Sequence, residues 1–350
     1  MKQLEGFTEL GFKDHVCKLV HTIYRTMQGV HDWYKTLMAT YNKLRYTTSR
    51  ANPCVRYKSE DGGYTIIGMH VQQDLDAGTI RLTQRSYWEH VINHFDLAHI
   101  TPWNVPLPVG LILENNMFPK TNSKKQQMLD KHYWPILGSI MWGQLATQPD
   151  LSFAVSLLSW FQANPRIQHW NALMHVVGYI KNTLDYGLTY SCDANLTPLS
   201  YIDTNYRGCH DTKCSTSSYI FTMAGGPVTW SSKWQATVTL STVEAEYMAM
   251  SQCAQQMMWM QAWLDEVAIE HDLPGIIKGD SRGAIALTKN TWDHGKVKHI
   301  NICHHYIQEL VKSGALTIKK IPSSENVADL FTKPLSCDHH HLFLRMLNIN

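Results

Sequence analysis

Four acidic residues offer the chain's clearest route to chemistry: Asp203 closing LSYID, Glu246 in LSTVEAEYMAM, Asp280 closing GIIKGD, and Asp329 in ENVADLFTK. Asp203 and Asp280 end short apolar runs that read as strands, and in open α/β sheets sites form beyond the carboxyl ends of strands. Hard divalent cations such as Mg²⁺ take oxygen ligands, often a few carboxylates completed by substrate phosphates. Either aspartate alone is unremarkable, because Asp is common where strands turn. Glu244 and Glu246 are two residues apart, so on a helix they point about 200° apart and cannot serve one site together. Ser241 and Glu244 fit an S-x-x-E capping box, which gives Glu244 a structural task and leaves Glu246 free to face the sheet. Asp329 completes a candidate set of four. With 29 acidic residues in the chain, many other quartets can be drawn, and pattern alone does not choose among them.

The elements that would position these acids follow from the apolar spacing. Residues 133–183 read as mainly helical, with Trp170, Leu173, Val177 and Ile180 on one face. Turn formers gather in YSCDANLTP, and the pattern changes there. Strands are expected at LSYID, SSYIFTMA and PVTWSS, with AGG turning the chain between the last two. A long helix is expected from about Val243 to Glu266. GIIKGD then reads as a strand, SRGAIALTK and HINICHHYIQELVK as helices, ALTIKKI as a strand and ENVADLFTK as a last helix. Hairpin strands followed by helix–strand alternation imply a mixed sheet with helices on its faces. The domain boundary is placed between residues 194 and 195. NSKKQQ (122–127) reads as a linker or exposed loop.

Composition narrows the classes. The chain has 350 residues, 44% hydrophobic and 17% charged, enough for two ordinary domains. No apolar run approaches the ~20 residues that span a bilayer, and the N-terminus lacks the layout of a signal peptide. The eight cysteines are scattered without a CxxC pair, so free thiols in a reducing compartment are expected. That points inside the cell without separating cytoplasm from nucleus. Neither Asp338–His341 nor Cys209, His210 and Cys214 has zinc-finger spacing, and surface or tail histidines are the default. Net charge is only +2, but residues 281–320 carry seven Lys or Arg against Asp293 and Glu309. A polyanion suits that segment, as does a plain solvated face.

The words around the acids carry more information than their spacing. YIDTNYRG, STSSYIF, PVTWSSKWQ, LSTVEAEYMAMS, GDSRGAIALTKN, KHINICHHYIQEL and ENVADLFTKPL, in that order, resemble the ribonuclease H domain of copia-type LTR retrotransposon Pol polyproteins. Upstream, KQLEGF, CKLVHTIYRTMQGVHDWY, IRLTQRSYWEHVINHF, YWPILGSIMWGQLATQPDLSFAVS and NPRIQHWNALMHVVGYIKNTLDYGL resemble the downstream half of the same polyprotein's reverse transcriptase. The resemblance implies an α/β, ribonuclease H-like mixed sheet flanked by helices at 195–350. It implies a partial α+β palm and connection remnant at 1–194.

On this resemblance Asp203, Glu246, Asp280 and Asp329 are the catalytic and metal-binding set, holding two Mg²⁺ ions (Mn²⁺ being the alternative). The implied reaction is endonucleolytic hydrolysis of the RNA strand of an RNA–DNA hybrid, with no small-molecule cofactor and no membrane. Asp203 would bridge both ions, Glu246 and Asp280 would hold the ion near the leaving 3′ oxygen, and Asp329 the other. Candidate contacts to nucleic acid are Ser215, Thr216, Ser217, Lys233, Lys296 and Lys298, although the hydroxyls of STSS serve equally as turn and sheet-edge bonds. The polymerase half departs from the family. GGYTIIGMHV (62–71) runs straight through the place where a Tyr-x-Asp-Asp strand belongs, and nowhere in the chain are two aspartates adjacent. Polymerase activity is therefore expected to be absent, and Gln28 in MQGVHDWY has no chemistry to support. Two departures touch the ribonuclease half. The family's Asp-Ala-Asp-Trp is Asp203-Thr204-Asn205-Tyr206 here, and the Gly expected after STS is Ser218. The competing reading is a catalytically silent, nucleic-acid-binding remnant; oligomeric state is not legible.

Overall fold

The computed structural model describes residues 47–48, 56–60, 63–66, 69–114, 128, 130–289 and 298–350. By packing, the chain divides into two compact units, Met1–Ile67 and Gly68–Asn350. The division falls inside GGYTIIGMHV, whose Ile67 and Gly68 lie outside the described residues, as do Gln28 and the 122–127 segment. The first unit contains three short antiparallel strands, β1 (Thr47–Thr48), β2 (Arg56–Glu60) and β3 (Gly63–Ile66). Tyr57 of β2 faces Thr47 on one side and Ile66 on the other.

The second unit opens with β4 (Met69–Asp74) and β5 (Thr79–Thr83), a hairpin. β5 also pairs antiparallel with β6 (Gly187–Ser191), Leu82 opposite Leu188. Between β5 and β6 the chain makes a helical layer of α1 (Arg85–His94), α2 (Tyr133–Ala146), α3 (Ser152–Ser159) and α4 (Ile167–Asn182). Leu173, Val177 and Ile180 of α4 are buried, as their spacing predicts, among Trp88, Tyr133, Leu137, Ile140 and Leu158. Packing here is close enough that a Cβ on Gly143 would lie 2.1 Å from the Trp88 ring.

The remaining strands are β7 (Leu199–Asn205), β8 (Thr216–Met223), β9 (Gly226–Trp234), β10 (Gly275–Gly279) and β11 (Leu316–Lys320). They form one sheet in the order β11-β10-β7-β8-β9. The first three are an antiparallel meander, while β10 and β11 run parallel to β7 and to each other. This is the mixed α/β sheet that the strand and helix order implies, ribonuclease H-like as the resemblance implies. On one face lie α5 (Thr242–Glu266), α6 (Arg282–Lys289) and α7 (Lys298–Lys312). Ile202, Phe221, Tyr247, Met257 and Ile277 form the core beneath them.

The other face differs from expectation. ENVADLFTK is not an α-helix: Val327–Phe331 is a 3₁₀ segment with every residue buried. Asn326 starts it, its Nδ2 donating to the carbonyl of Ile202 at 2.8 Å. Pro334 follows shortly after and cannot continue an α-helical hydrogen-bond ladder. The last helix is α8 (Cys337–Met346), which contains the histidine run expected on the surface or in a tail. His340 there is 3% exposed, so the surface default fails for that residue. Its side chain joins a buried chain of polar groups. Tyr179 donates its hydroxyl proton to Asp150 Oδ2 at 2.5 Å, and His340 Nε2 lies 3.0 Å from the same hydroxyl. Phe331, Phe343, Leu344 and Leu347 close this face of the sheet together with Leu188 of β6. The chain end pairs with the same strand: Gly187 N–H donates to Asn350 O at 3.1 Å and Thr189 N–H to Asn348 O at 3.2 Å. Residues on both sides of the 194/195 position thus share one packed unit. Among the described residues, no helix is long and apolar enough to cross a membrane.

Candidate metal centre

Asp203 lies near the end of β7, opposite Ser218 of β8. Lys278 of β10 pairs with Tyr201 of β7, so Asp280, two residues further along, comes level with Asp203. Glu246 arrives from the first turns of α5. The helix start is as expected: Ser241 Oγ accepts the Glu244 N–H at 3.2 Å, and the Glu244 carboxylate accepts the Leu240 N–H at 2.7 Å. Glu244 is thereby engaged at the cap. Gln235 steadies the next turn, donating from Nε2 to Ala245 O at 2.9 Å.

One oxygen from each of Asp203, Glu246 and Asp280 lies within 4.8 Å of the others. Among the described residues no second group of three metal-ligating side chains gathers in this way. Cys209, His210 and Cys214 in particular do not, and His210 instead pairs with Glu114 at 3.5 Å. Asp329 stands beside Asp203, outside the group of three. Burial, with Asp203, Asp280 and Asp329 nearby, pushes the Glu246 carboxyl up to about 9. Burial and the neighbouring Asp203 push Asp329 up to about 7. Like charges gathered under partial burial disfavour ionisation, which is the electrostatic signature of a cluster built to receive positive charge.

The donor set fits a hard divalent cation. All its ligands are carboxylate oxygens, with no thiolate or imidazole among them. Asp329 Oδ1 is buried without a hydrogen-bond partner, a donor atom that protein contacts leave unused.

Three neighbours orient the acids, and sequence reasoning missed all three. Thr332 donates its hydroxyl proton to Asp203 Oδ2. Ser323 Oγ donates to Asp280 Oδ2 at 2.6 Å. Lys333 Nζ lies 2.9 Å from Asp329 Oδ2, and despite partial burial Asp203, Asp329 and Asp280 raise its pKa. Thr332 and Lys333 belong to the ENVADLFTKPL word, in which the acid alone stands out as a ligand. Ser323 had no signal beyond its place in the loop before that acid.

Both departures from the family pattern have structural work here. Asn205, where the family writes an acid, donates from Nδ2 to Thr332 O at 3.2 Å. Ser218, where a glycine is usual, has its hydroxyl 3.3 Å from Asp203 O and 3.1 Å from Ala328 O. These bonds tie the 3₁₀ segment carrying Asp329 to the strand carrying Asp203.

The proposed nucleic-acid contacts fare unevenly. Ser215, Thr216 and Ser217 are buried. Ser215 Oγ accepts the Arg207 N–H at 3.1 Å, and Ser217 Oγ accepts from Gln235 Nε2 at 2.7 Å. These side chains face inward, and turn and sheet-edge bonding describes the STSS hydroxyls better than contact with a strand of nucleic acid. Lys233 is exposed on β9. Lys296 and the side chain of Lys298 lie outside the described residues.

No family model matches the chain. It is 30% identical over 376 residues to the retrovirus-related Pol polyprotein from transposon TNT 1-94 of Nicotiana tabacum, covering 95% of this chain and 28% of that polyprotein. To the retrovirus-related Pol polyprotein from transposon RE2 of Arabidopsis thaliana it is 30% identical over 387 residues, covering 100% of this chain and 26% of the polyprotein. It thus spans about a quarter of the length of these relatives. Among solved structures, LC11-RNase H1 in complex with an RNA/DNA hybrid is similar at 17% identity and a TM-score of 0.30, covering 39% of this chain and 94% of that one. The polyprotein relatives give the descent: over nearly its whole length, the chain belongs to the retrovirus-related Pol polyproteins of copia-type transposons.

Proposed function

We propose that the sheet at 195–350 is a divalent-metal-dependent ribonuclease H that hydrolyses the RNA strand of RNA–DNA hybrids. The observation that carries this reading is the convergence of Asp203, Glu246 and Asp280 oxygens within 4.8 Å, at the place where the family resemblance puts its catalytic acids. Asp203, Glu246 and Asp280 would hold the cation, with Asp329 flanking Asp203. Bound there, Mg²⁺ or Mn²⁺ supplies charge for the phosphate oxygens and lowers the pKa of a coordinated water.

The chain's own groups do the rest. Thr332 and Ser323 fix the free rotation of the Asp203 and Asp280 carboxylates, presenting the remaining lone pairs to one point. Lys333 partly offsets the burial and the Asp203 charge that hold Asp329 above the usual carboxylate range. Glu246, held protonated by burial and by its acidic neighbours, would give up its proton to bind a cation, so cation uptake should release protons. Strand-specific labelling tests the reading. With Mg²⁺ the full chain should cut the RNA strand of a hybrid, leave the DNA strand intact, and do neither in EDTA. Binding of the hybrid without cleavage would favour the silent remnant instead.

Nucleotide addition is not proposed for this chain, because no adjacent aspartate pair occurs in its 350 residues. Primer extension on a templated duplex should yield no product.

A further inference from the structure

The face of the sheet that bears Asp203 and Asp280 also bears an in-register row of other groups, one pleat away. Lys278 of β10 lies between Tyr201 of β7 and Lys319 of β11. Two residues along each strand, about 6–7 Å, bring the row to Asp203 and Asp280. Alternation supports the shared face: Ile277 and Gly279 point to the helices on the opposite side, leaving Lys278 and Asp280 on this one. Lys278 Nζ sits 5.0 Å from the Tyr201 ring centre and 3.4 Å from its hydroxyl. Lys319 is exposed.

Like charges directly opposite on neighbouring strands destabilise a sheet. Among the described residues, neither lysine has an ion-pair partner. An anion lying between the two ammonium groups would offset their mutual repulsion. We propose that Lys278 and Lys319, with the Tyr201 hydroxyl, form a phosphodiester-binding subsite. It takes the backbone phosphate adjacent to the one held at the acids. One pleat is comparable with the spacing of consecutive phosphates along a strand, so the sheet itself sets the register between them. The subsite rests on the ribonuclease reading above, because it needs a nucleic-acid strand at the acids.

The test measures binding of an RNA–DNA hybrid by the full chain, with Ca²⁺ in place of Mg²⁺, across a range of salt. Lys278→Gln/Lys319→Gln should weaken binding about tenfold or more at low salt. It should flatten the slope of log K against log[salt] by about one for each phosphate that the variant no longer neutralises. Lys319→Gln should act, whereas Lys320→Gln, its neighbour on the opposite face, should act much less. The double variant should unfold at the same denaturant concentration as the parent or a higher one, since a repulsion has been removed. Unchanged slope and affinity, or an equal effect from Lys320→Gln, would overturn the subsite and leave the ribonuclease reading standing. A parent chain that neither binds nor cuts the hybrid would overturn that reading, and the subsite with it.

Discussion

Lys333 Nζ lies 2.9 Å from Asp329 Oδ2, four residues along the chain, a positive side chain placed against the acid cluster. Without a cation, its ammonium offsets part of the carboxylates' charge. Lys333→Gln should therefore destabilise the metal-free protein at pH 8, by about 1 kcal/mol given that the group is partly solvated. At pH 5 Glu246 and Asp329 keep their protons and the loss should shrink. Thermal unfolding in EDTA at the two pH values checks this, and equal losses would count against it.

The acids themselves give a pH dependence of definite sign. Glu246 is raised from 4.5 to about 9 and Asp329 from 3.8 to about 7. Between the unfolded and folded values the folded protein holds more protons than the unfolded chain. The stability this contributes is fully present below about pH 4 and is lost as pH rises through about 7 and then about 9. The melting temperature of the metal-free protein should fall from pH 5 to pH 9, and Mg²⁺ should flatten the fall. A curve indifferent to Mg²⁺ would mean that no cation binds these carboxylates.

Thr332→Val and Ser323→Ala remove one orienting hydroxyl each from Asp203 and Asp280. Partners of this kind typically contribute about 10–100-fold to metal affinity or activity. Each variant should need more Mg²⁺ to reach half-maximal cleavage while its maximal rate changes less. A fall in rate with no shift in Mg²⁺ requirement would assign the hydroxyls some other role.

Tyr179 bridges Asp150 on the helical layer and His340 on the last helix, all three buried. Tyr179→Phe deprives both partners of this hydroxyl, and Asp150 Oδ1 already lacks a hydrogen bond. Unfolding by urea should show a loss of about 1–3 kcal/mol, with α8 loosening from the helical layer.

Much of this was legible in the residues because local chemistry and tertiary role coincide. LSYID and GIIKGD are apolar runs ending in Asp, and the parallel pairing of β10 with β7 brings those two ends level. Glu244 was separable from Glu246 because a capping box is a local motif, and the cap is made. What failed depended on distant partners. ENVADLFTK has helix-compatible residues, but Asn326 is held by Ile202, 124 positions earlier in sequence, and the segment tightens into a 3₁₀ turn. Ser215 and Ser217 look like surface hydroxyls until Arg207 and Gln235 fold over them. His340 gave no hint of burial, since its partner Tyr179 is 161 residues away. The polar bonds that tie Asp203 to Asp329 run through Asn205, Ser218 and Thr332, positions that stand out only when the two segments are side by side.

The central claim is that the carboxylates around Asp203 hold a divalent cation for phosphodiester hydrolysis. Its most direct test is cleavage of an RNA–DNA hybrid by the full chain, set beside Asp280→Asn, which keeps the side chain's size and removes its charge. Mg²⁺-dependent cutting of the RNA strand that vanishes in the folded variant is the predicted result. Equal cutting by parent and variant, or none by a folded parent that still binds the hybrid, would contradict it.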